Sequence, residues 1–72
     1  MKVAIYSRVL EVTQQKDIQV FFDELDREGI VPVVFQPFLD EINSSISLPS
    51  TTTTFISSQD LTPDIDFFVS LG

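Results

Sequence analysis

Asp66-Phe67-Phe68-Val69-Ser70-Leu71-Gly72 is an apolar run with aromatic and β-branched character that stops on a glycine. Its near-continuous apolarity marks a strand of a parallel sheet, where helices cover the faces and clean alternation is lost. In α/β proteins ligands sit just past the carboxyl ends of such strands, in the loops that lead on to the next helix. The expected strand spans Ile65 to Leu71. Gly72, the last residue given, then stands where a backbone turns sharply or meets a ligand closely.

The same pattern recurs upstream. Val3-Ala4-Ile5-Tyr6 is a short apolar block, read as a first strand over residues 2–7. Ser7 to Glu11 is a connection, in which Val9 and Leu10 either extend the strand or pack beneath the next helix. Thr13 is a suitable N-cap for a helix over Thr13 to Glu28. Within it Ile18, Phe21, Phe22 and Leu25 recur at i, i+3, i+4 and i+7 and form one apolar stripe, the pattern of core aromatics rather than of a ligand-stacking pair. Asp17, Asp23, Glu24, Asp26 and Arg27 fall largely on the other face, with Asp23 and Arg27 spaced for an i,i+4 pair. Gly29 stands where a left-handed residue closes a helix.

Ile30 to Phe35 is a second strand. Pro32 cannot donate to a ladder, so it belongs to the first residues of that strand or to a sheet edge. Pro37 suits the first turn of a second, shorter helix, whose apolar side is Phe38, Leu39, Ile42 and Ile46 and whose outward residues are Asp40 and Glu41. From Asn43 the chain turns polar, and Thr51 to Thr54 are four threonines in a row. Residues 43–54 read as a mobile Ser/Thr-rich surface loop that tightens into an extended piece at Thr54-Phe55-Ile56. Leu61-Thr62-Pro63-Asp64 supplies the turn before the last strand. Strands alternating with helices predict α/β architecture: a Rossmann-like half domain with a mostly parallel sheet of three or four strands and two helices.

Composition narrows the chemistry. With 72 residues the chain makes one small domain, which buries only about 60% of its unfolded surface. It has neither cysteine nor histidine, which removes disulfides, soft metal sites and the usual Cys/His or Ser/His nucleophilic systems. Eleven acidic residues against four basic ones give a charge of −7, which opposes nucleic acids and anionic membranes. Lys2 followed by a short apolar block is no signal peptide, and no stretch approaches the roughly 20 apolar residues of a membrane span; a cytoplasmic location is expected.

The first strand–helix junction, Tyr6-Ser7-Arg8-Val9-Leu10-Glu11, contains no glycine, so neither a dinucleotide fingerprint nor a P-loop is present. Ser7 and Arg8 remain candidates for an anion, as a hydroxyl and a guanidinium. The carboxylates Asp23, Glu24, Asp26 and Glu28 lie on the solvent side of the helix. Asp64 and Asp66 flank the entrance of the last strand, away from the expected active edge, so none offers the partly desolvated carboxyl group of acid–base catalysis.

Together, the opening strand Lys2-Val3-Ala4-Ile5-Tyr6-Ser7, the amphipathic helix, the second strand near residue 31 and the closing Asp64-Ile65-Asp66-Phe67-Phe68-Val69-Ser70-Leu71-Gly72 resemble the start of the NAD kinase (ATP-NAD or polyphosphate-NAD kinase) family. In that family the last strand runs into a Gly-Gly-Asp-Gly-Thr motif, and Gly72 would be its first glycine. The resemblance implies that residues 1–72 are the N-terminal α/β part of a larger enzyme. That enzyme would phosphorylate the adenosine-ribose 2′-hydroxyl of NAD with ATP or polyphosphate, and would be a homo-oligomer. It further implies a magnesium ion on the phosphates, a general-base aspartate beyond Gly72, NAD contacts mostly on a second β-rich domain, and no catalytic residue within this segment. Only Gly72 matches a motif position and is the nucleotide contact that the resemblance implies here; Ser7 and Arg8 stay candidate nucleotide contacts from the first junction alone. The competing reading is a non-catalytic flavodoxin-like module such as a receiver domain. A receiver needs an acidic pair after the first strand and an aspartate at the end of the third, whereas Ser7-Arg8 and Ser70-Leu71-Gly72 stand at those places here.

Overall fold

The computed structural model describes residues 1–7 and 15–71. The expectations placed on Arg8, Val9, Leu10, Thr13 and Gly72 lie outside the described residues. Four strands, β1 (Lys2–Tyr6), β2 (Val31–Phe35), β3 (Thr53–Phe55) and β4 (Phe67–Ser70), form one sheet in the order β3-β2-β1-β4. Every neighbouring pair is parallel. Two helices, α1 (Gln15–Arg27) and α2 (Gln36–Ile42), link β1 to β2 and β2 towards β3. This is the Rossmann-like α/β half domain that the alternating pattern predicts.

Right-handed crossovers carry successive connections in one direction over the same face of a parallel sheet. Accordingly Phe22 and Leu25 of α1 and Phe38 and Ile42 of α2 share one buried cluster with Val3, Ile5 and Val34. The stripe read from the sequence is this packing surface: Phe22 is fully buried, while Ile18 and Phe21 lie at its margin. Phe21 and Phe22 meet edge to face, with ring centroids 5.6 Å apart.

The chain then reverses direction. From β3 at one edge it passes β2 and β1 and joins the sheet as β4 on the far side. A right-handed return in that direction must cross the opposite face, and here the connection is a short arm rather than a helix. A single 3-10 turn, Ser58–Asp60, interrupts it, and Leu61 and Ile65 pack on Ala4, Val33 and Phe55. The sheet is thus covered by two helices on one side and by this thin arm on the other.

Local chemistry sets the element ends. Gly29 adopts φ +69°, the amide of Ile30 donates to the Leu25 carbonyl (2.9 Å) and that of Gly29 to Asp26 (3.1 Å). This is the paired bonding of a Schellman motif, and Ile30 adds the apolar contact that accompanies it. Pro37 lies in the first turn of α2, where a missing N–H leaves no bond unmade. Pro32 sits in an interior strand, not at a sheet edge. Alternate residues of a parallel strand address opposite neighbours. Because the Val31 amide donates towards β1, to the Met1 carbonyl (2.9 Å), the nitrogen of Pro32 faces the β3 side. Pairing with β3 starts only at Val33 with Thr53, so the absent donor falls ahead of that ladder.

Three details differ from the sequence reading. Arg27 pairs with Glu24, one residue nearer than Asp23, and Asp23 instead accepts a bond from the side-chain amide of Gln19 (2.9 Å). Segment 43–54 is partly built into the domain: Ile46 is buried in the helical cluster although it lies past the end of α2, Pro49 is buried, and Thr53 and Thr54 are already in β3. Finally β4 is shorter than Ile65–Leu71 and takes an outer position. Phe67 and Phe68 are therefore 59% and 57% exposed, despite an apolarity that suggested burial.

Candidate functional site

All four strands point the same way, so the carboxyl ends of β1 and β4 lie side by side. The register pairs Ile5 with Val69 and Tyr6 with Ser70, and the amide of Leu71 donates to the Tyr6 carbonyl at 2.9 Å. Strand order reverses between β1 and β4, and open α/β sheets bind ligands outside the carboxyl ends of their strands at such a point.

The structure brings two of the sequence candidates to this place. Ser7 directly follows β1 and is 4% exposed, the buried polar residue among those described. Burial of a hydroxyl is favourable only with hydrogen-bond partners, and among the described residues no buried side-chain oxygen lacks one. Leu71, the residue before Gly72, lies against the end of β1; Arg8 and Gly72 themselves lie outside the described residues. Ser70 is exposed opposite Tyr6.

The face turned away from the helices carries aromatic residues at this edge. Tyr6, Phe35 and Phe55 are each the last residue of their strand. Their ring centroids lie 4.8 Å apart between Tyr6 and Phe35 and 5.5 Å apart between Phe35 and Phe55. Phe68 of β4 joins the row at 6.5 Å from Phe55, across the small side chain of Ala4. These tilted contacts fall within the range in which aromatic pairs attract. Sequence spacing could have indicated that each aromatic ends a strand, but not that strand order aligns them.

The acidic groups lie elsewhere. At the opposite, amino edge the Lys2 ammonium contacts the Asp64 carboxylate at 2.7 Å, and the Lys2 amide donates to Asp66 Oδ2 at 2.9 Å. The Lys2 side chain, followed by a hydrogen bond from the Thr62 hydroxyl, holds the Asp64 carboxyl below its ordinary range. In the arm, Asp60 Oδ2 accepts the amides of Ile56 (2.9 Å) and Ser57 (3.0 Å), and bonding from Ser57 first and Ile56 second lowers its pKa. Both carboxylates are solvated and stabilise turns. Among the described residues no three metal-ligating side chains come together, and no helix is long and apolar enough to cross a membrane.

Compared with protein-family models, with curated proteins and with solved structures, the chain matches none.

Proposed function

We propose that this chain is the N-terminal α/β platform of an NAD kinase, an enzyme that transfers a phosphoryl group from ATP or polyphosphate to the adenosine-ribose 2′-hydroxyl of NAD. The observation that carries the reading is the pairing of β1 with β4 in parallel. The two stretches that resemble the family, Lys2–Ser7 and Asp64–Gly72, contain β1 and β4, whose carboxyl ends lie side by side at one edge of the sheet. A glycine-rich loop after β4 would therefore project beside Ser7, at the edge where an α/β sheet binds ligands.

Phosphoryl transfer depends on positioning and on neutralising phosphate charge. The described residues provide positioning: a rigid parallel sheet fixes the point at which such a loop would leave. In this reading, as the family resemblance implies, the general-base aspartate and most NAD contacts come from outside residues 1–72, and a magnesium ion sits on the phosphates. Ser7, Arg8 and Gly72 would border the phosphates. The enzyme would work as a cytoplasmic homo-oligomer.

The test is direct. The codons after Gly72 in the parent gene should read Gly-Asp-Gly, and the protein extended through them and its following domain should form NADP from ATP and NAD. The 72-residue chain should form none. A stop codon after Gly72, or NADP formation by the 72 residues alone, would overturn the reading.

A further inference from the structure

We draw no further inference here: the strongest candidate, the open edge of β4 with Phe67 and Phe68 59% and 57% exposed, is an unpartnered apolar surface, and nothing in the structure shows what covers it.

Discussion

Gln19 of α1 and Ser47 hold each other by two hydrogen bonds across 28 positions of sequence. The Gln19 side-chain amide donates to the Ser47 carbonyl at 2.9 Å, and the Ser47 amide donates to Gln19 Oε1 at 2.8 Å. This clamp lies next to buried Ile46 and ties the segment after α2 to the first helix. Gln19→Ala should lower stability by about 1–2 kcal/mol, the worth of the two exposed bonds to Ser47 together with the exposed bond to Asp23. Amide exchange should speed up selectively at Ser47 and Ile46. Urea denaturation with exchange by NMR checks both, and unchanged protection at Ser47 would refute the clamp.

Acid should loosen the amino edge, through Asp64, and the arm, through Asp60. Asp64 and Asp60 both have pKa values lowered by folding, through Lys2 with Thr62 and through the Ser57 and Ile56 amides respectively. Carboxylates depressed in the folded state contribute stability that is complete above the unfolded value of about 3.9 and is lost as pH falls through the folded pKa. The melting temperature should therefore be flat from pH 7 to about 5 with respect to these groups and decline below about pH 4. Asp64→Asn should shallow that decline, and a slope equal to wild type would contradict the Lys2 contact.

Burial separates neighbouring aromatics that look alike in sequence. Phe22 of α1 is fully buried in the cluster it shares with α2 and the sheet, and Phe22→Ala should cost about 3–5 kcal/mol. A domain of this size has roughly that much stability to lose, so the variant should be largely unfolded at room temperature. Phe67→Ala, on the outer strand, should change stability by no more than about 0.5 kcal/mol. Circular dichroism with chemical denaturation compares them.

Gly29 tests backbone strain without steric clash. A Cβ built there meets nothing within 4 Å, yet φ is +69°. Gly29→Ala should cost about 1 kcal/mol from the left-handed conformation alone. Gly29→Asn should cost less, because Asn tolerates that region better. Thermal denaturation of both variants measures the difference, and an Ala variant as stable as the parent would show that the turn relaxes.

Legibility followed the range of the interactions. The apolar spacing of Ile18, Phe21, Phe22 and Leu25, the stop at Gly29 and the start at Pro37 act within one or two helical turns, and each appears in the structure as read. Arg27 had two acidic residues within one turn, and spacing could not choose between Asp23 and Glu24. Burial of Ile46 was half legible: it was read as part of the apolar side of α2, but it reaches the core from a turn after the helix. Of the site, Ser7 was legible as the residue after a strand. The aromatic row was not, because Tyr6, Phe35, Phe55 and Phe68 become neighbours only through strand order.

Side-chain periodicity and turn chemistry were enough to specify which segments become strands and helices, since those preferences operate over a few residues. Tertiary contacts alone placed β4 beside β1 rather than beyond β3. That choice joins Lys2 to Asp66 across 64 positions, and it turns the face opposite the helices into an aromatic edge. Strand order is a competition between whole surfaces, in which loop closure, face coverage and crossover handedness are settled together.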